Sequence, residues 1–561
     1  MKKSKLKIII NRFKKVEKKK LTKQDRIFLG IGAGIMMAII LFTAYLIWFI
    51  WSQKSIAGFL PAEKTVTYVE IKEMSLPVKL KTGSLLDEEN TKATLKNIFD
   101  FNYNDDIRSW ADGRWAVALV QNDKEESIPV LAIQTYSKRN AMKFFQSLLL
   151  SDEVLLKEGK SKSTIYSYEK GQAFHFTFAG AYTFISKDIE KLKEIQEVRA
   201  KKITPLTEDI NYQTSFNNLP RQDWMRGYAN FSLVNLGEEI TIRNITEPLK
   251  TIINNFAFSV KKNPNGFHFN TFVNLNKDVL VNKKGFSDNT HFAYKLTDLI
   301  SSKGIVSYIG GANLSKEWEN TLETIANLNP AYGVILEGVL RAQINKVFGE
   351  KVDLRNDLYP LLEGEYALAI GTEEGETVLS LLLSHNDRDF TEKKMEKMMD
   401  GFRVLAAAFA PKLQIVMLPD GTESHELVAD NTQMKEVSEE YEGYDVHCLE
   451  VKKTGAGFCY TVTEDLLAVT NSHEKIIETI DMTLSPEFTL SQYQPFRQTI
   501  SNMSKVSDEI TFIDMQHLIP IIENKTYGAL LTPYLKNFSA ASWVKHYFDD
   551  GVSSEGYLLI K

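Results

Sequence analysis

The sequence predicts an α+β protein: an N-terminal transmembrane helix followed by two tandem duplicated domains with mainly antiparallel sheets and flanking helices. Three observations predict it. The first is a 25-residue stretch without a charge, Ile27 to Trp51. The second is a recurring motif, "WADGRWAVALV" (Trp110 to Val120) echoed by "LLEGEYALAIG" (Leu361 to Gly371). The third is a set of alternating apolar runs separated by the turn signals "EKGQ", "KKTGAG", "NPNG" and "FDDG". Regular strand–helix–strand alternation is absent, which disfavours a doubly wound parallel sheet.

Residues 1–26 hold 12 Lys and Arg against Glu17 and Asp25, a charge of +10. The whole chain carries −5, so the remaining residues carry −15. Such a Lys-rich flank stays in the cytoplasm. The body repels phosphate backbones, so no nucleic-acid partner is expected. Residues 27–51 are long enough to cross a bilayer as a tilted helix, and Trp48 and Trp51 suit its outer interface. The lipid bilayer is therefore a partner through residues 27–51. A cleaved signal peptide is the competing reading, with "SIAG" (Ser55 to Gly58) as cleavage site, although its apolar region would be about half as long. Gly30 and Gly34 form a small-xxx-small pair able to pack against another transmembrane helix, although Gly is common in such helices in any case, and a homo-oligomer is left open without further support. Residues 52–59 read as a linker.

Residues 60–285 and 286–561 read as the two extracytoplasmic repeats. "NIFDFNYNDDIRSWADG" (Asn97 to Gly113) corresponds to "KVFGEKVDLRNDLYPLLEG" (Lys346 to Gly364). Next comes an apolar strand in each, with Ser137 or Asp387 placed to cap a helix. Thr164 to Ile195 corresponds to Asp445 to Ile480, each three short strands and a helix. "YANFSLV" (Tyr228 to Val234) corresponds to "ITFIDMQ" (Ile510 to Gln516), and each half closes on a hairpin. The join falls near Asn282 to Thr290. In "FHFNTFV", Phe267, Phe269, Thr271 and Val273 point one way and His268, Asn270 and Phe272 the other, which reads as a half-buried strand.

The anchor, the "FLPAEKTVTYVEI" opening and a DI-x-x-W-x-x-G-x-W-A-V-A core resemble a family of bacterial membrane-anchored proteins catalogued as domain of unknown function 3352. Asp106, Ile107, Trp110, Gly113 and Trp115 carry the likeness; Asp357, Leu358, Leu361, Gly364 and Tyr366 hold the matching places in the second copy. The resemblance implies an extracytoplasmic location and supplies no catalytic residues.

No catalytic constellation satisfies its own requirements. Ser259 and Lys262, Ser287 to Asn289, and Lys453 to Gly455 follow the order of the penicillin-binding motifs. Ser259, however, lies in an expected strand rather than opening a buried helix. "GVSSEG" places Glu555 where a hydrolase elbow needs Gly. Asp100, Asn102 and Asn104 begin like a calcium loop, but Asp105 replaces the Gly at position six and Ala111 the Glu at position twelve. His447 and Cys448 are neighbours on a strand and face opposite ways, which argues against a shared zinc. No metal or other cofactor is expected. Cys448 and Cys459 are the only cysteines and flank one hairpin. A turn centred between Lys453 and Thr454 sets them opposite each other, within reach of a disulfide, and a one-residue change of register removes the bridge.

The functional expectation is a membrane-anchored, non-catalytic binding or scaffold module at the cell envelope, with a protein or cell-envelope partner. Two alternatives stay open: a carrier of a small apolar or envelope-derived ligand, and an enzyme with no recognisable motif.

Overall fold

The structure is a computed structural model. It describes residues 55–561 apart from 73–106, 148–154, 159–163, 169–173, 221–223, 235–249, 277–294, 504–508 and 524–531, with shorter stretches at 329, 374, 410, 420, 453–455, 533–534 and 549–550. The basic tail, the apolar segment 27–51, Gly30 and Gly34 lie outside the described residues. Among those described, no helix is long and apolar enough to cross a membrane.

Residues Ile56–Lys561 form one compact unit. In the first half, β1 (Thr65–Ile71), β2 (Ala111–Gln121) and β3 (Ser127–Thr135) precede α1 (Lys138–Ser147). Then come β4 (Leu155–Glu158), β5 (Ile165–Tyr168), β6 (His175–Ala179), β7 (Tyr182–Ser186), α2 (Ile189–Arg199) and α3 (Ile210–Asn217). The half closes with β8 (Met225–Asn230), β9 (Ile253–Asn263) and β10 (Gly266–Leu275). The second half runs β11 (Ile305–Gly311), α4 (Leu314–Leu328), α5 (Pro330–Phe348), β12 (Tyr366–Glu373), β13 (Glu376–Ser384) and α6 (Arg388–Phe409). A separate hairpin, β14 (Pro411–Met417) and β15 (Glu423–Ala429), is followed by β16 (Met434–Tyr441), β17 (Tyr444–Val451), β18 (Ala456–Val462), β19 (Leu466–Thr470) and α7 (His473–Leu484). The chain ends with α8 (Gln494–Ile500), β20 (Glu509–Asp514), α9 (Met515–Glu523), β21 (Phe538–Phe548) and β22 (Gly551–Ile560).

Among the described residues every strand pairing is antiparallel, and twenty strands make one sheet. The first ten run in the order β4, β5, β6, β7, β3, β2, β1, β8, β9, β10. The rest continue β22, β21, β20, β11, β12, β13, β19, β18, β17, β16. Read outward from the middle, the two halves have the same order. They meet where β10 pairs with β22, and Asn270 opposite Glu555 is the centre of that seam.

Helices cover both faces. Trp115, Leu131, Ile133 and Ile185 pack with Phe144 and Phe145 of α1, while their neighbours Ala116, Val130, Ala132 and Phe184 pack with Leu192 and Ile195 of α2. Alternate residues of a strand point to opposite faces, so the two clusters lie on the two sides of the sheet. The second half repeats this: Ile476, Ile480 and Phe496 join Tyr308, Ala367 and Leu382 on one side. Met395, Met398 and Phe402 of α6 join Tyr366, Leu383 and Phe458 on the other.

Local chemistry sets the boundaries. Asp387 Oδ1 accepts the Phe390 N–H at 2.9 Å at the start of α6, and Asp188 does the same for Glu190 at α2. Tyr441 opposite Tyr444 leaves Glu442 and Gly443 as a two-residue turn with φ of 50° and 84°, the positive pair that matches strand twist.

Two expectations need correction. Ile56, Ala57, Gly58 and Phe59, read as part of a linker over 52–59, form a buried 3-10 turn within the first-half core. Their apolar side chains are large enough to be worth burying, and a flexible linker would leave them in water. The stretches 60–285 and 286–561 are likewise not separate bodies, because β10 and β22 pair along nine residue pairs and merge them into one sheet. Strand β10 buries Phe267 on one face and Phe272 on the other, while Phe269, Asn270, Thr271 and Val273 are half-buried.

Candidate functional site

Three clusters of ionisable side chains lie within this frame, beside other buried polar groups such as Lys191 and Asp514. The first is a row across four strands of the second half. Tyr366 on β12 stands opposite Gly311 on β11, Gly311 opposite Glu509 on β20, and Glu509 opposite Lys545 on β21. The Tyr366 ring lies over Gly311, where an added Cβ would come within 2.7 Å of it. That bareness lets the Tyr366 hydroxyl reach Glu509 at 3.4 Å and Glu317 of α4 at 3.3 Å. Lys545 Nζ donates to the other oxygen of Glu509. Burial, and then the charge of Glu509 and the hydrogen bond to it, push the Glu317 carboxyl up to about 8, against the pull of Lys545 and Tyr366. Chemically, this set keeps a proton on Glu317, facing the Glu509 carboxylate, near neutral pH.

The second cluster is in the first half. Glu70 on β1 is 1 % exposed and accepts from the Tyr68 hydroxyl, from Arg226 Nη2 at 2.9 Å and from Arg114 Nη1 at 3.4 Å. The Arg226 guanidinium lies 5.6 Å from the Phe216 ring centre. The carboxylate is thus satisfied by charged and neutral donors together, which a buried charge requires.

The third cluster holds Asp357, one of the motif residues. Asp357 accepts from Lys394 Nζ at 2.7 Å, from Lys397, and from its own turn's Asp353 N–H at 2.7 Å. Burial alone would raise its carboxyl. The two lysines and the backbone N–H outweigh that and hold it at about 2. Its role is to tie the turn before β12 to α6. Of the motif residues that the structure describes in the first half, Ile107, Trp110 and Trp115 are buried beside Phe144 and Phe145, while Gly113 has a φ of 23° on β2 and lets the Lys72 carbonyl approach.

Cys448 on β17 faces Cys459 on β18, with Cα atoms 4.0 Å apart and both side chains buried. Ser259 sits within β9 and is 3 % exposed, and Lys262 lies over the Trp224 ring. The other two members of that motif set, Ser287 to Asn289 and Lys453 to Gly455, fall outside the described residues, as does Asp100 to Asp105. His447 packs against Tyr460, 5.0 Å between ring centres, on the opposite side of β17 from Cys448. Among the described residues no group of three or more His, Cys, Asp or Glu is placed to hold a metal ion. A cavity of about 20 Å³ between Ile300, Ser301, Val378 and Lys475 has room for one water.

Glu317, Glu509, Lys545 and Glu70 had no motif to announce them. The available signal was an acidic residue inside an apolar strand, "TVTYVEI" and "EITFID". A solvated face explains such a residue equally well until the partner strands are known.

Solved structures from three crystal forms of TP0453 are similar over part of the chain. Form I is 8 % identical, covers 40 % of this chain and 80 % of its own, with a TM-score of 0.24. Forms III and IV are 11 % and 10 % identical, with the same TM-score, over 40 % and 39 % of this chain and 81 % and 79 % of theirs. These scores are too low to carry an argument. No curated protein matches the chain. The family model described as "Protein of unknown function (DUF3352)" matches residues 88–541, and the chain belongs to that family.

Proposed function

We infer that the chain is a single-pass membrane protein, anchored by residues 27–51 with its N-terminus in the cytoplasm. Its described unit then lies outside, acting as a non-catalytic binding or scaffold module at the cell envelope. The charge-free segment and its Lys-rich flank support the topology. The shared strand order of the two halves supports an origin by tandem duplication.

The observation that carries the binding role is a set of large apolar side chains left in water in the second half. On α5, Val334, Ile335 and Val339 are 73 %, 58 % and 52 % exposed. On the stand-alone hairpin, Leu413, Ile415 and Met417 share one face and are 62 %, 56 % and 62 % exposed. An isolated two-stranded hairpin is marginal in water, and exposed apolar groups of this kind mark contact surfaces. The buried ionisable groups of the first and third clusters, by contrast, are tied to one another. The cavity beside Ser301 is too small for an apolar cargo and lends the carrier reading no support.

The test is photo-crosslinking in the membrane from a reactive residue placed at Ile335 and at Ile415, with one at exposed Lys201 as control. A discrete adduct from the first two sites and none from the control is expected. Equal, diffuse labelling from all three would overturn the reading. Cysteine-labelling topology, with single cysteines placed at Ser4 and at Lys201, checks the anchor separately.

A further inference from the structure

The row Tyr366, Gly311, Glu509, Lys545 has a counterpart in the first half at the same register. There Trp115 stands opposite Ile71, Ile71 opposite Met225, and Met225 opposite Val260. That row is wholly apolar, so this layer of the sheet holds together without any ionisable group. The second half has replaced it with two strand-borne charges and has brought a third, Glu317, down from α4.

The charges do not balance on their own. The ionisable groups facing Glu317 are Glu509 from β20, Lys545 from β21 and Tyr366 from β12. With both carboxylates ionised, the buried site holds two negative charges against one ammonium. With a proton on Glu317 it is neutral, and the carboxyl donates to Glu509. Burying an uncompensated charge costs several kcal/mol, so contact between α4 and the sheet depends on that proton. Helix α4 also leans Leu314 and Trp318 on the cluster that contains Tyr366. Its partner helix α5 turns Val334, Ile335 and Val339 to solvent, so no part of the described chain covers the helical pair at that face.

We propose that α4 and α5 form a proton-controlled latch, closed on the sheet while a protonated Glu317 faces the Glu509 carboxylate and opened by loss of that proton. Once opened, Glu317 returns to its ordinary value of 4.5 from about 8. Opening therefore releases one proton. Its equilibrium constant rises about tenfold per pH unit between those values and levels off above them.

The experiment is hydrogen–deuterium exchange of the full-length protein in detergent at pH 5, 6, 7 and 8, followed in peptides covering 314–348. Wild type is compared with Glu317→Gln at each pH, so that the chemical exchange rate cancels. Exchange in wild type relative to the variant is expected to climb about tenfold per pH unit, while peptides from β17–β19 keep a constant ratio. A ratio over 314–348 that stays constant with pH would overturn the proposal, and so would a ratio that climbs equally in β17–β19. Should Glu317→Gln fail to fold, Glu509→Gln serves the same purpose. It leaves Glu317 to pair with Lys545 without a proton, and its exchange should be equally insensitive to pH.

Discussion

His175 Nδ1 lies 2.7 Å from Ser167 Oγ across β5 and β6, at the register position that Cys459 and Cys448 fill on β18 and β17. The rung can be followed inward in both halves. His175 stands opposite Ser186, Ser186 opposite Val130, and Val130 opposite Ala118 and then Tyr68. Cys459 stands opposite Thr470, then Ser380, Ala369 and Tyr308. The same position thus carries two cross-strand links of different chemistry, a hydrogen bond in the first half and the Cys448–Cys459 disulfide in the second. Burial lowers the His175 pKa, which keeps its ring neutral and suited to that bond.

The cysteine pair is expected to be bridged in the mature protein. Alkylation without reduction, read by mass spectrometry, should find no free thiol. Replacing both by Ser should lower unfolding free energy by roughly 2–3 kcal/mol, the value for a loop of about ten residues. Two alkylated cysteines in the unreduced protein would show that the strands pair without the bond.

Glu70→Ala should be among the most damaging single changes in the first half. It strips the carboxylate from Arg226, whose side chain is only 22 % exposed. Removing one member of a buried pair costs about 3–5 kcal/mol. Glu70→Gln keeps one acceptor and should cost less. Urea unfolding of both variants orders them, and equal costs would mean that hydrogen bonding, not charge, is what Arg226 needs.

Asp357 should make the protein sensitive to acid. Its folded pKa of about 2 lies below the ordinary 3.8, so its contribution is complete above that value and is lost as pH falls toward 2. The contribution is about 2 kcal/mol. In Asp357→Asn the loss should already be present at pH 7, and the step between pH 4 and pH 2 should shrink. An undiminished step would assign the acid transition to other carboxylates.

Glu317 works in the opposite direction. Its folded pKa is above the unfolded one, so the stability it lends is in place below 4.5 and drains away as pH rises toward 8. Glu317→Gln should be less stable relative to wild type at pH 4 than at pH 8, where it should equal or exceed it. Denaturant midpoints at the two pH values decide the matter.

Much of the fold class was legible in the sequence, because strand alternation and turn residues are local. The three strands and helix expected over Thr164 to Ile195 are β5, β6, β7 and α2, and Ser137 and Asp387 were visible as caps from their place before helical runs. The single sheet was not legible. Whether β10 ends a domain or pairs with β22 depends on contacts across hundreds of residues, and Phe267 to Val273 alternates in the same way in either case. Glu317 and Lys545 were invisible for a related reason. They join one cluster only through Tyr366 and Glu509, the first bound to Glu317 and the second to Lys545, and it is the bareness of Gly311 that lets the Tyr366 ring reach across, which no local pattern encodes.

The seam between β10 and β22 also sets a timetable. Residues 266–275 leave the ribosome long before residues 551–560, so a half-made chain presents a finished strand with one bare row of amide and carbonyl groups. Such a row is a template for the wrong neighbour, including the same strand of another nascent chain. That edge stays bare for as long as the second half takes to follow.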